Sequence, residues 1–406
     1  MTSTLATAQP AHATPPSLAQ LHEINAGMQA FQVSVQPSGR AFSVNEGEAM
    51  LAAAIRQGVG LPYGCKDGAC GSCKCKKLSG VVVHGPHQSK ALSDDEEAHG
   101  FVLTCCGVPY SDVVLESRQV TEAGAFPIKK MPSRVTLLEK KSHDVMLVKL
   151  QLPANDGFAY HAGQYVEFIV RDGARRSYSM ATAPRPILTA VTTASAAPAT
   201  PAQAAADGAG APTSAIHTPP IPGPGLELHI RHMPGGKFTD HVFGAMKEKE
   251  IVRIEGPFGT FFLREDSAKP MILLASGTGF APIKAVIEDM QHKGIDRPAT
   301  LYWGGRRPAD LYLDDWVKAK LLEMPHLSYV PVISNAAPED GWSGRTGFVH
   351  AAVLQDFPDL SGHQVYACGA PIVIDSAKMA YTTEGGLPED EFYADSFITE
   401  ADKARA

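Results

Sequence analysis

The stretch GCKDGACGSCKC, Gly64 to Cys75, holds four of the chain's 7 cysteines within twelve residues. An odd, bunched count does not suit a disulfide framework, which is usually even and dispersed. The thiols therefore read as metal ligands in a reducing compartment, and the expected location is the cytoplasm. Cys65, Cys70 and Cys73 follow C-x4-C-x2-C, a spacing that serves a [2Fe–2S] cluster once a distant fourth cysteine is supplied. Cys105 and Cys106, in Leu103-Thr104-Cys105-Cys106, are both candidates. Iron favours soft thiolates. Gly64, Gly68 and Gly71 would let the backbone wrap closely and aim N–H groups at the sulfurs. A structural zinc site using Cys70, Cys73 and one of Cys75, Cys105 or Cys106 is the alternative. It leaves Cys65 and the glycines unexplained. A Rieske centre would need two histidines, and His84 and His87 fall in a Gly/Pro turn.

Outward from this loop, 406 residues suffice for two or three domains, and a hydrophobic content of 44% allows ordinary cores. The net charge of -7 argues against a nucleic-acid surface. No apolar run approaches the roughly 18 residues of a membrane span. Residues 1–29 lack the basic and apolar regions of a secretory signal and read as a disordered tail.

FQVSVQ and AFSV alternate as strands, and MLAAAIRQGVG reads as an amphipathic helix ended by glycine. Ser93-Asp94-Asp95-Glu96 has the form of a capping box, which makes the acidic run a helix start. Pro127 to Pro132 reads as a linker. SRVTLLEK, VMLVKLQL, QYVEFIV, RRSYSMA, LELHIR and IVRIEGPFG then form a dense series of strands, as in an antiparallel barrel. Pro184 to Gly225 is almost wholly Ala, Thr, Pro, Gly and Ser, and reads as a flexible insertion between two of these strands. From Ala268, strands MILLAS, ATLYWGG, SYVPVIS and QVYACG alternate with helices, in outline a doubly wound parallel sheet.

PYGCKDGACGSCKCKKLSG, with the later LTCCGVPYSDVVLE, resembles plant-type ferredoxin domains. The resemblance implies a β-grasp fold and selects Cys105 as the fourth ligand beside Cys65, Cys70 and Cys73. Cys106 falls where the family uses no ligand, and Cys75 reads as a small packing residue.

In Arg176-Ser177-Tyr178-Ser179 an arginine can pair with a pyrophosphate, a tyrosine can cover a flavin and a serine can bond near N5. His229 and Arg231 end an alternating strand. Gly235-Gly236-Lys237-Phe238-Thr239 then turns into a helix start suited to phosphate. This order, followed by Gly256-Pro257-Phe258-Gly259, resembles the flavin domain of the ferredoxin–NAD(P) reductase superfamily. It implies that Arg176, Tyr178, Ser179, His229, Arg231, Gly235, Gly236, Lys237 and Thr239 bind FAD.

Ser276-Gly277-Thr278-Gly279-Phe280-Ala281-Pro282 follows a buried strand and opens a helix. Its glycines let a pyrophosphate approach, and Pro282 suits the first turn. It resembles the superfamily's G-T-G-x-A-P, which assigns Gly277, Thr278, Gly279 and Pro282 to the nicotinamide nucleotide. Arg306 could by general rule grip a 2′-phosphate and so select NADPH. Trp303 to Tyr312, however, fits the W-G-x-R-x-x-x-D-L-Y of NADH-using relatives, which favours NADH. Cys368-Gly369 matches the C-G-x-P turn beside the nicotinamide, and Asp395 and Phe397 match an acid-x-aromatic pair against the flavin.

The resemblance as a whole is to the family named for CDP-6-deoxy-3,4-glucoseen reductase and to reductase components of multicomponent oxygenases. It implies three domains after the tail: 30–121 (ferredoxin-type), 130–265 (FAD barrel, with the insertion 184–225) and 266–400 (nicotinamide). Electrons would pass from NADH through FAD and [2Fe–2S] to a partner oxygenase or dehydratase-type enzyme. Ser179, Cys368, Asp395 and Phe397 would order the rings and protons. A self-contained NAD(P)H reductase of a small acceptor is the alternative.

Overall fold

The computed structural model describes residues 30–121, 126–154, 157–184 and 225–399. The expected tail 1–29 and all of the expected insertion except its ends, Pro184 and Gly225, lie outside the described residues. The chain forms two compact bodies.

The first body takes in 30–121, 259–261 and 369–399 of the described residues. Strands β1 (Ala30–Gln36) and β2 (Arg40–Asn45) form a hairpin whose alternate residues, Phe31, Val33, Val35, Phe42 and Val44, are buried. Helix α1 (Met50–Arg56) buries Met50, Leu51, Ala53 and Ala54, and the chain turns at Gly58 with φ +73°. β3 (Lys74–Ser79), β5 (Phe101–Leu103) and β7 (Val113–Glu116) complete a five-stranded sheet, ordered β2-β1-β7-β3-β5. The β1–β7 pair is parallel. β4 (Val82–His84) and β6 (Gly107–Pro109) make a small separate ribbon. Short helix α2 (Asp94–Ala98) opens on the expected capping box, with Ser93 Oγ accepting from the Glu96 N–H.

Of the described residues, the second body takes in 126–154, 157–184, 225–258 and 262–368. Its first sheet is antiparallel. It joins β8 (Lys129–Lys140), β9 (Val145–Gln151), β10 (Tyr165–Ile169), β11 (Arg175–Ser179), β12 (Gly225–Arg231) and β13 (Ile251–Phe258) in the order β11-β10-β13-β8-β9-β12. The expected linker 127–132 is corrected here. β8 starts at Lys129, and Pro132 lies within it opposite Arg253, because the alternation of SRVTLLEK extends back through buried Met131. Met131, Val135, Val148, Phe168, Leu228 and Ile254 pack the interior of this sheet. Helix α3 (Lys237–Gly244) covers it with Phe238 and Val242.

A parallel sheet follows in the same body, from β14 (Met271–Ser276), β15 (Ala299–Gly305), β16 (Leu327–Ile333), β17 (Arg345–Thr346) and β18 (Gln364–Gly369), ordered β17-β16-β15-β14-β18. Continuous burial along MILLA and QVYACG marks strands covered on both faces. Helices α4 (Phe280–Lys293), α5 (Asp314–Glu323) and α6 (Val349–Asp356) connect them. Strand order reverses at β14, with β15 on one side and β18 on the other. The carboxyl ends of β14 and β18 are therefore where such sheets bind ligands. Helix α7 (Pro371–Thr383) and β19 (Phe392–Ser396) belong to the first body.

Candidate functional site

Local backbone geometry builds the cysteine loop. Gly68 (φ +73°) and Gly71 (φ +74°) are left-handed, and a Cβ on Gly68 would stand 2.8 Å from the Cβ of His87. Only glycine fits there. Gly64 is different. A Cβ on it would meet Cys70 Sγ at 3.5 Å and Asp395 Oδ1 at 3.7 Å, ordinary contacts, so its smallness is not required. Lys66 takes φ +66° without being glycine, a strained conformation inside the loop.

Wound this way, the loop turns its N–H groups inward. Ala69 N–H and Cys70 N–H donate to Cys65 Sγ at 3.4 and 3.3 Å. Cys65 N–H and Ser72 N–H donate to Cys70 Sγ at 3.4 and 3.5 Å. Gly68 N–H reaches Cys105 Sγ at 3.2 Å. Cys105 arrives through sheet register. Lys74 of β3 faces Leu103 of β5, Thr104 N–H donates to Cys73 O, and Leu51 N–H of α1 donates to Thr104 O.

Cys65 and Cys70 are tied reciprocally, the N–H of each donating to the other's Sγ. The Cys70 bond, then burial, pushes the Cys65 thiol up, while the same bond pulls Cys70 down. Cys106 hydrogen-bonds Cys105 from outside the set and holds that thiol up at about 12. Cys75 is buried in the sheet, where desolvation pushes it up to about 12, as suits a packing residue. Among the described residues no three cysteine, histidine or carboxylate groups converge on one ion position.

In the second body, Arg176 and Tyr178 share one face of β11, and Ser179 is buried. Tyr178 packs on Phe168 and Phe238, and burial pushes its phenol up. Arg175 is paired with Glu167 and Glu255, whereas the Arg176 guanidinium meets its neighbour's carbonyl. Gly235 (φ +82°) and Gly236 form the tight turn before α3. A Cβ on Gly236 would sit 2.8 Å from both Met233 O and Thr239 Oγ1. Thr239 Oγ1 donates to Met233 O at 2.9 Å and so clamps that turn. Lys237 pairs with Asp172 at 3.0 Å on the surface.

The His229 side chain is held within the protein. Its ring is buried, with Nδ1 2.9 Å from Tyr312 Oη and Nε2 3.0 Å from Glu227 Oε1. Both nitrogens are committed to protein, and burial pushes its pKa down. Arg231 lies 3.1 Å from Asp144, and its guanidinium abuts Gly277, where a Cβ would stand 2.7 Å from Nη1.

Gly277 (φ +55°) to Gly279 form a single 3-10 turn between β14 and α4, and Pro282 lies in the helix's first turn. Trp303 Nε1–H donates to Gly277 O at 3.0 Å, and Trp303 stacks on Phe280 at 3.9 Å, fixing the turn from below. Thr278 is buried. Ala275 of β14 faces Cys368 of β18, which sets Cys368 beside the turn at the strand-order reversal. The Asp310 carboxylate accepts from Arg306 N–H and Arg307 N–H at 2.8 and 3.1 Å. Arg307 is tied to Glu339 (3.1 Å) and Asp340 (2.7 Å), whereas the Arg306 side chain is exposed. In the first body, Asp395 is buried beside Gly64, and Phe397 N–H donates to Gly369 O.

The sequence reading missed Glu227, Lys284 and Glu288. Lys284 is buried in α4 and contacts Ala181 O, Glu227 and Glu288. The available signal was a lysine on the apolar face of PIKAVIEDM.

Three family models match: a 2Fe-2S iron-sulfur cluster binding domain over residues 33–110, an oxidoreductase FAD-binding domain over 220–263 and an oxidoreductase NAD-binding domain over 273–379. The CDP-6-deoxy-L-threo-D-glycero-4-hexulose-3-dehydrase reductase of Yersinia pseudotuberculosis is 35% identical over 372 residues, covering 91% of this chain and 99% of its own. Reductase component 2 of the terephthalate 1,2-dioxygenase of a Comamonas species is 32% identical, over 91% of this chain and 97% of its own. The crystal structure of the Amycolatopsis reductase GcoB is 30% identical, with a TM-score of 0.67 over 91% of this chain and 99% of its own. Among the described residues no helix is long and apolar enough to cross a membrane.

Proposed function

The chain belongs to the family of reductases that join a 2Fe-2S domain to oxidoreductase FAD- and NAD-binding domains, and from that premise we propose that it carries electrons from NADH through FAD and a [2Fe–2S] cluster to a protein acceptor. The observation that carries this reading is the cradle of backbone N–H donors aimed at the sulfurs of Cys65, Cys70 and Cys105. Two irons each need two protein thiolates, whereas one zinc needs three or four groups around one point. Cys65 and Cys70 would hold one iron, and Cys73 and Cys105 the other. The inward N–H groups stabilise charge on the sulfurs. The proposed domains are 30–121, 130–265 and 266–400, read as β-grasp, barrel and doubly wound sheet. An isolated bridge between Met180 and Leu228, joining the two edges of the antiparallel sheet, supports the barrel.

Bound FAD would supply the exchange between two-electron hydride chemistry and the one-electron chemistry of a cluster. For FAD we assign Tyr178 and Ser179 to the ring and Arg176 with the Gly235–Thr239 turn to its phosphates. Lys237 adds positive charge there. The Gly277–Gly279 turn with Thr278 would receive the nicotinamide nucleotide's pyrophosphate, and Cys368 with Gly369 its ring; Arg231, expected at FAD, abuts that turn and is reassigned to it. Asp395 and Phe397 remain assigned to the flavin's surroundings by resemblance, and the cytoplasm remains the proposed location. The acceptor proposed is an oxygenase or dehydratase-type enzyme, after the names of the relatives.

NADH is preferred to NADPH because three carboxylates lie about the two arginines, two of them on Arg307. Arg307 is neutralised by Glu339 and Asp340, and buried Asp310 caps the backbone at Arg306. A 2′-phosphate would meet net negative charge there. Anaerobic titration with each nucleotide tests the reading. NADH should bleach flavin and cluster bands together, with three electrons stored per chain; a colourless protein, or one that NADH leaves oxidised, defeats it.

A further inference from the structure

Glu227 and His229 stand on one face of β12, two residues apart, and each holds a piece of the parallel-sheet half of the same body. Glu227 Oε1 is 3.1 Å from Lys284 Nζ on α4. His229 Nδ1 is 2.9 Å from Tyr312 Oη, in the segment after β15. The rungs are joined, since His229 Nε2 meets Glu227 Oε1 at 3.0 Å. A carboxylate only accepts, so Nε2–H donates to Glu227 and the Tyr312 hydroxyl donates to Nδ1. Lys284 Nζ also bonds Ala181 O (3.0 Å), just after β11, and Glu288 (2.6 Å), whose carboxylate accepts from Ala183 N–H. Glu227, His229 and Lys284 are each 6% exposed or less. The network thus links the end of β11, the face of β12 and the first turns of α4, on which the two proposed cofactors would lie.

We propose, resting on the reading above, that Glu227, His229, Lys284 and Tyr312 form a positioning clamp that sets the distance and angle between the flavin sheet and the Gly277–Gly279 turn. None of the four is a catalytic residue. The clamp holds the two halves where a hydride can pass without a search at each turnover. Apolar packing could join the halves equally strongly, but it is non-directional. Charge-assisted bonds in a low-dielectric interior fix orientation.

The test uses the holoenzyme. Tyr312→Phe removes one oxygen and keeps the ring. Glu227→Gln removes the charge, and the double variant joins them. Bound FAD and the melting temperature are measured first. Anaerobic stopped-flow then gives the limiting rate of flavin reduction and the NADH concentration at half-saturation. A displacement of the donor should slow the limiting rate roughly tenfold at full FAD content. Half-saturation should move less than about twofold. The isotope effect with 4-deuterated NADH should persist, and the double variant should fall short of the product of the singles. A limiting rate within about twofold of wild type in Tyr312→Phe overturns the clamp. So does a shift confined to half-saturation, or loss of FAD from Tyr312→Phe, since these assign the network to binding or folding. If Glu227→Gln fails to fold, Tyr312→Phe decides alone. Failure of NADH to reduce the wild-type flavin would defeat the functional reading instead.

Discussion

The cysteine loop and the β12 face both gather polar atoms at a buried place, but by opposite means. The loop works over short range. Its donors are backbone N–H groups of residues 65–72, aimed by the left-handed turns at Gly68 and Gly71. The β12 face works over long range. Its partners are side chains from α4 and from the segment after β15, joined by one backbone carbonyl at the end of β11. A cradle of backbone dipoles tolerates loss of one side chain structurally and loses chemistry. A desolvated charge network loses stability when one partner goes.

The sharpest break of this contrast is Cys70→Ser. Removal of one cluster thiolate should abolish reduction of one-electron protein acceptors, a loss of about a hundredfold or more. NADH–ferricyanide activity should remain within about twofold. Parallel loss of both activities would mean that the order of carriers is wrong.

Lys284→Met attacks the other region. Leaving buried Glu227 and half-buried Glu288 without their lysine should cost about 3–5 kcal/mol in urea unfolding followed by flavin release. The cluster's visible bands should persist to the wild-type urea concentration. An unchanged flavin midpoint would show that the network carries little energy.

Acid should separate the bodies as well. Burial alone would raise the Glu227 pKa, but His229 and Lys284 outweigh it and hold it at about 2. A depressed carboxyl pKa stabilises the fold above the unfolded value, 4.5, and that contribution is lost as pH falls toward 2. It amounts to about 3 kcal/mol. Burial also holds His229 below its usual pKa. A group buried neutral likewise loses stability as pH falls below its unfolded value, 6.5. Glu227→Gln should therefore flatten the acid limb of stability between about pH 4.5 and 2, measured by urea midpoints across that range. An equally steep limb in the variant would remove Glu227 from the account.

The smallest effects compare two glycines of one loop. Gly68→Ala meets both a left-handed φ and the His87 backbone, and should cost about 1–3 kcal/mol and lower iron content. Gly64→Ala meets only ordinary contacts and should stay within about 0.5 kcal/mol. Equal effects would mean that loop composition, and not φ, controls the cradle.

Much of the fold was legible because its signals are local. Alternation in FQVSVQ and LELHIR, the capping box at Ser93 and the apolar run MILLAS each depend on neighbours a few residues apart, and each forms the element expected. The linker reading failed at Pro132 because the pairing of β8 with β13 outweighs proline's weak fit to a strand. Arg176, Ser179 and Gly277 could be singled out by motif. That Tyr312 and Glu227 occupy the His229 ring could not be read from its sequence neighbours.

By itself the sequence determined the cysteine spacing, the order of the 2Fe-2S, FAD-binding and NAD-binding segments and the positions of the two glycine turns. These are properties of contiguous residues whose backbone path follows from spacing and from glycine's freedom. Only the tertiary structure decided that backbone N–H groups converge on the sulfurs of Cys65, Cys70 and Cys105, that Gly64 is not constrained as Gly68 is, that Arg307 is already neutralised, and that Glu227, His229, Lys284 and Tyr312 form one network. Hydrogen bonds and ion pairs depend on distances of a few ångströms between residues remote in the chain, and those distances exist only after the sheets have assembled.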